Sequence, residues 1–223
     1  MTRRTFLPLH AFGRVARLGS LCLVGWLAAC ATGRTVIDLP APPASAQSAT
    51  AVQAVHVRAV SDDRVFEDAP KQANIQSLGE PVATASASVR AHAVARKRNG
   101  YGMAQGDVIL SERADMRDIM RANVAATLAQ AGYRIDDHDP AALPVDVHVR
   151  QFWLWLQPGL VVGVIRSSIV ADVSVGGAPA VTISAETSQP GQIFSQEAWT
   201  NAVQVALEAW RKQAATDLRA SAR

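Results

Sequence analysis

The chain reads as an α+β domain, an antiparallel sheet with two long helices packed on one face, preceded by a signal peptide and a flexible tether. Three observations carry that reading. Residues 111–131 and 195–219 place apolar side chains three and four apart, the period of an amphipathic helix. Stretches such as Val55–Val60, Val145–Arg150 and Ile169–Val175 alternate apolar and polar side chains, the period of half-buried strands. The elements follow in the order β-β-α-β-β-β-α, with strands grouped instead of alternating with helices, which suits a sheet covered on one side.

At the amino end, Arg3, Arg4, Arg14 and Arg17 stand without an acidic residue before an uncharged, mostly apolar run from Leu18 to Ala29. The run is short of the ~20 apolar residues a bilayer-spanning helix needs. A positive start, an apolar middle and small residues at the end form a signal-peptide pattern. It closes on Leu27-Ala28-Ala29-Cys30, which resembles the lipobox of bacterial lipoproteins. The resemblance implies cleavage between Ala29 and Cys30, a diacylglycerol on the Cys30 thiol and an acylated new amino terminus. It makes residues 1–29 the leader. In Gram-negative lipoproteins an Asp after the cysteine favours inner-membrane retention; Ala31 stands there, so the resemblance implies an outer-membrane anchor with the domain facing the periplasm.

Losing the leader changes the charge. The chain has 22 Lys+Arg and 19 Asp+Glu; the leader takes four arginines and no acid, leaving 18 against 19. The pI near 9.2 is therefore a precursor property and no footprint of nucleic-acid binding. Cys22 departs with the leader, so Cys30 is the only cysteine of the mature chain, which excludes an intrachain disulfide and a cysteine-based metal site. No later segment is apolar enough to span a membrane. The anchor is expected to be lipid, and two or three acyl chains on one residue hold far more firmly than a single chain.

Residues 30–51 are the expected lipidated terminus and tether. Within them, residues 40–51 (PAPPASAQSATA) carry no charge and no bulky apolar side chain, too little to offset the entropy of ordering. Residues 52–223 form the expected single domain. Val55–Val60 is its first strand and Ser61–Arg64 a turn. Residues 66–81 are irregular, with Pro70, Gly79 and Pro81. Val89–Ala95 reads as a weak second strand, and Arg96–Gly102 as a turn around Asn99-Gly100. The first helix places Met116, Ile119, Met120, Val124, Leu128 and Ala131 on one face, with Ser111 as its N-cap and Gly132 as its stop. Tyr133–Pro144 is a polar connector. Val145, Val147 and Val149 then alternate with polar residues before Phe152–Leu156 turns apolar on both faces, a strand that begins half-exposed and ends covered. Leu160–Val175 gives one long strand or two shorter ones, and Gly176-Gly177 a hairpin turn into Val181–Ala185. The last helix aligns Trp199, Val203, Ala206, Leu207, Trp210, Ala214 and Leu218.

The Val55–Val57 strand, the Asp62–Arg64 turn, the helix ending Ala131-Gly132-Tyr133 and the later strands and helix follow the order of the YajG family, which the chain resembles over most of its mature length. Arg96–Ala104 resembles a stretch in closer members. The resemblance implies a small Gram-negative envelope lipoprotein. It transfers no reaction or ligand to particular residues, and it is least informative around the extra residues 66–107.

No catalytic pattern accompanies these elements. His56, His92, His138 and His148 lack ligand spacing, and the Asp136, Asp137, Asp139 cluster lacks the glycine and terminal glutamate of a calcium loop. There is no G-x-S-x-G and no phosphate-binding glycine loop. No cofactor and no metal are expected, and the chain is read as a non-enzyme. Arg96, Lys97 and Arg98 beside Tyr101 form the one dense basic patch, read either as a solvated turn or as a contact for anionic lipid, cell-wall polymer or an acidic protein. Trp153 and Trp155 share one strand face, either core or a groove for an acyl chain or partner strand. The expected role is partner binding or envelope assembly. The alternative is an auxiliary lipoprotein of an envelope lipid or ABC transport system.

Overall fold

The structure, a computed structural model, describes residues 33–43, 53–159 and 161–221. The leader, the cleavage and lipidation point at Ala29 and Cys30, residues 31, 32 and 44–51 of the expected tether, and residue 52 lie outside the described residues. In chain order the elements are strand β1 (Thr35–Ile37), strand β2 (Ala54–Asp62), a short helix α1 (Ala87–His92), strands β3 (Ala93–Arg98) and β4 (Ala104–Leu110), and helix α2 (Met116–Ala131). Strands β5 (Arg134–Ile135), β6 (Leu143–Gln157), β7 (Gly163–Val175) and β8 (Val181–Gly191) follow, then helix α3 (Gln196–Ser221). The class is α+β, with one eight-stranded sheet.

That sheet is mixed, which corrects the antiparallel expectation. Strand β6 explains why. One of its edges pairs antiparallel with β7 from Val145↔Val175 to Gln157↔Val164. The other is shared in series by two parallel partners: β2 from Leu143 to Val149, then β3 at Leu154. Strands joined by short turns pair antiparallel, as in β3–β4, β6–β7 and β7–β8. Strands whose connection includes a helix return in the same direction and pair parallel. Local alternation reveals the first kind of pair and is silent about the second.

Two bulges set which side chains enter the core. The β6–β7 register slips between Val149 and Gln151, at Arg150. A bulge inserts one residue and inverts the alternation beyond it, so Val145, Val147 and Val149 share a face with Phe152 and Leu154, all in the main core. A matching slip at Arg58 in β2 lets Val55, Val57 and Val60 all meet that core. Helices α2 and α3 cover the same face. Met116, Met120, Val124 and Leu128 of α2 and Trp199, Val203, Leu207, Trp210 and Leu218 of α3 are buried in it, as the helical periods predict.

Helix α2 begins at Asp115, not Ser111. The Asp115 carboxylate accepts from the backbone N–H groups of Arg117 and Asp118, and the Asp118 side chain accepts from that of Asp115, a reciprocal cap. It stops at Gly132, whose φ of 99° is costly for any residue with a Cβ. The β7–β8 connection turns through Gly176 and Gly177 at φ 63° and 79°, the primed geometry that matches strand twist, and β8 runs on to Gly191, beyond the expected Ala185.

The opposite face of β6 is covered by residues 64–89. Trp153 is fully buried there with Phe66, Leu78, Ala85 and Ala93. Its ring meets Phe66 edge-on at 6.3 Å, and its Nε1 donates to the Ala73 carbonyl at 3.0 Å. This position is core, not groove. Two further expectations are corrected. The first half of Val89–Ala95 is helical, because the Ser86 hydroxyl caps α1 by accepting from Val89 N–H at 3.1 Å. Thr35–Ile37, inside the expected tether, pairs parallel with Val108–Leu110 of β4 and buries Ile37 completely.

Candidate functional site at the hairpin end of the sheet

The expected basic patch does not sit in a solvated turn. Arg96, Lys97 and Arg98 belong to β3, and alternation parts Lys97 from its two neighbours. Arg98 is buried, donating to the Pro70 carbonyl at 2.8 Å and to Ser77 Oγ at 3.3 Å. Desolvation, with repulsion from Arg96, lowers its pKa. Lys97 donates to Thr35 Oγ1 at 3.0 Å, so this cation fastens β1 to the hairpin. Desolvation brings its ammonium below the usual lysine range, with Asp107 opposing. Arg96 faces Asp107 at 3.6 Å, half-buried. The turn itself is held by Asn99, whose Oδ1 accepts from the N–H groups of Tyr101 and Met103, each at 3.0 Å. Of the four patch residues, only Tyr101 stands out in solvent.

The open face of β2 and β6 carries His56 and His148, while His92 lies in α1 with its Nδ1 2.8 Å from the Ser88 carbonyl. His148 Nδ1 lies 2.8 Å from Ser61 Oγ and 2.9 Å from Asp63 Oδ2. A hydrolytic relay needs the hydroxyl on one ring nitrogen and the carboxylate on the other; here both meet the same nitrogen. His56 lies opposite Pro144 while His148 lies opposite Ser61, so the two histidines are not cross-strand neighbours. Arg58 forks onto Asp146, and that hydrogen bond is the main reason the Asp146 carboxyl titrates below its usual range. Asp172 is lowered first by the Thr182 hydroxyl at 2.7 Å and then by Arg150 at 2.9 Å. At the far end Arg134 bridges Asp136 and Asp139, and the Asp136 carboxylate accepts from the His138 and Asp139 N–H groups. Among the described residues no group of three or more His, Cys, Asp or Glu is placed to hold a metal.

A cavity of about 820 Å³ opens between the end of β2, α1 and the start of α2. Four of its charged side chains form two ion pairs. Arg64 chelates Asp62 at 2.7 and 2.8 Å and lies 5.1 Å over the Phe66 ring, and Arg117 pairs with Asp115. Burial would raise the Asp115 carboxyl, but hydrogen bonds from Arg117 and from the Asp118 N–H override it and hold the group low.

What sequence reasoning missed is the company Tyr101 keeps. Strands β3 and β6 run parallel with Ala95 beside Leu154, and each ends three residues later, at Arg98 and Gln157. The β3–β4 and β6–β7 hairpins therefore close at the same end of the sheet. The pair Gly163↔Gly191 brings the β8–α3 connection to that end as well, and Phe194 packs against Gly163, where a Cβ would lie 2.6 Å from the Phe194 ring. Tyr101, Met103, Val161, Val162 and Ile193, all exposed, are carried by these three loops. The signal available in the sequence was the absence of charge from residues 99–105, 157–163 and 189–196.

No family model matches the chain, and no curated protein matches it. Two solved structures are similar in chain course. One is described only as an uncharacterized protein, with 10% identity over 86% of this chain and 99% of that one, at a TM-score of 0.40. The other is protein XCC0632 from Xanthomonas campestris, family-model DUF330, with 9% identity over 84% and 97%, at a TM-score of 0.45. Neither is described as YajG-like.

Proposed function

We propose that this chain is a lipid-anchored protein of the Gram-negative envelope, held at the outer membrane with its domain in the periplasm, and that it binds a partner or supports assembly without catalysing a reaction. The observation that carries the reading is Leu27-Ala28-Ala29-Cys30 behind a basic and then apolar leader. The use of polar groups in the domain supports its second half. Charged side chains of the open sheet face and of the cavity beside α1 engage one another in Arg58–Asp146, Arg150–Asp172, Arg64–Asp62 and Arg117–Asp115, where a catalytic site keeps groups aimed at a substrate position.

Cys30→Ser is the test. Intact-mass analysis of the membrane fraction is expected to show the parent chain cut before Cys30 and carrying acyl chains, and the variant uncut and unacylated. A parent protein that sits in the membrane with an unmodified Cys30 refutes the anchor.

A further inference from the structure

The geometry points to the hairpin end of the sheet as a membrane-contact surface, laid against the same bilayer leaflet that holds the Cys30 lipid; this rests on the lipid anchor proposed above. Strand β1 supplies the direction. It runs parallel to β4 with Thr35 beside Val108, so the chain entering at Thr35 comes from the side where β4 starts, which is the β3–β4 hairpin. Cys30 precedes Thr35 by five residues, as Met103 precedes Val108 by five. Five residues reach at most about 17 Å. Had the sheet begun at residue 52, some twenty residues would have let the domain take any orientation. With β1 fixed in the sheet, the lipid is confined to the neighbourhood of this one end.

That end has the composition of a surface meeting lipid. Tyr101 is 92% exposed, Val161 78% and Ile193 81%, with Met103 and Val162 beside them. Scattered apolar residues on a surface need no explanation, but five on three adjoining loops form a patch. Their loops carry no charged side chain in a chain that is 18% Asp, Glu, Lys and Arg. The connection leaving β4 at its other end, Ser111–Asp115, and the segment Asp136–Asp139, which lies near the start of β6, are rich in charge. An aromatic phenol at the rim of an apolar patch suits the interfacial zone of a bilayer. Arg34, exposed, is the only charged residue between Cys30 and Asp38 and has the sign that suits anionic headgroups.

Single cysteines test the orientation, because an acylated Cys30 thiol is blocked and Cys22 leaves with the leader. The full acylated protein, with Tyr101→Cys, Val161→Cys or Ile193→Cys, is labelled with a polarity-sensitive fluorophore and reconstituted into phosphatidylethanolamine–phosphatidylglycerol vesicles. Asp137→Cys and Ala178→Cys, exposed at the opposite end, are the controls. The three tip labels are expected to be quenched by lipids brominated in their acyl chains and shielded from aqueous iodide at least threefold relative to the controls. Tip labels as open to iodide as the controls, on a protein still held by its lipid, overturn the inference and leave the anchor standing. Shielding from iodide without quenching by brominated lipid also overturns it, because a protein then covers this end. A parent chain with a free, labelled Cys30 overturns the anchor and the inference together.

Discussion

Replacing Arg64 by Met removes a cation whose side chain is wholly covered while keeping much of its length. In the folded protein that guanidinium satisfies both oxygens of Asp62 and donates to the carbonyls of Ala93 and Arg90, each at 2.6 Å. Methionine would leave the Asp62 carboxylate without its counter-charge and two carbonyls without a donor. Removing one partner of a buried pair costs about 3–5 kcal/mol; Asp62 keeps some contact with water, so the lower half of that range, about 3–4 kcal/mol, is expected. In a domain of this size each kcal/mol moves the melting midpoint by roughly 2–4 °C, giving a fall of about 6–16 °C. Arg58→Met is the matched control. It breaks a forked pair of the same chemistry on the open sheet face, where solvent screens the charges and the loss is expected to be much smaller. Urea unfolding followed by tryptophan fluorescence reads both variants, with slopes compared so that only midpoint shifts count as stability. A loss from Arg64→Met below 1 kcal/mol, or no larger than that from Arg58→Met, refutes the view that this arginine fastens residues 62–66 and α1 to the sheet.

Trp210 is fully buried and its indole N–H has no acceptor among the described residues, so its contribution is packing. Trp210→Ala is expected to cost about 3–5 kcal/mol, and a loss below 1 kcal/mol in the same assay would place that face of α3 in contact with solvent. Acid titration tests Asp172, whose carboxyl is held below its unfolded value near 3.9 by Thr182 and Arg150. A lowered folded-state pKa stabilises the protein fully above the unfolded value, and the contribution is lost as pH falls through the folded one. Asp172→Asn should therefore be less stable than the parent at pH 6, with the gap closing as pH falls below the unfolded value and on through the lower folded one; a constant gap would assign the loss to shape.

Both helices were legible because their apolar faces repeat without interruption from Met116 to Leu128 and from Trp199 to Leu218. The Phe152–Leu156 run was legible as a strand covered on both sides for the same reason. What the sequence did not display were relations between distant segments. Nothing in Thr35-Val36-Ile37 announces a strand, because three residues carry no period and their partner lies in β4. The bulge at Arg150 was invisible because the run beyond it is apolar on both faces and so carries no phase to compare with Val145–Val149. The basic patch failed on a similar point. Adjacent positions in a strand face opposite ways, so Lys97 was turned toward β1 and parted from Arg96 and Arg98, and Arg98 was drawn inside by the carbonyl of Pro70. The uncharged hairpin end was written in three separate stretches that only the sheet topology brings together.

The serial use of one β6 edge has a consequence for how the chain is made. Three of the pairings are local hairpins that can close as soon as their turns exist. Strand β1 must wait for β4, with Thr35 meeting Val108 across 73 positions, and β2 must wait for β6, with Val55 meeting Leu143 across 88. A chain that emerges amino end first thus presents its earliest strands long before their neighbours have been synthesised, and contacts so distant in sequence form slowly. Through that interval β2 has unpaired edges, the kind of template on which other chains misassemble. Arg58 and Asp62 place charges along β2, the kind of side chain that keeps an unpaired strand edge from joining other chains.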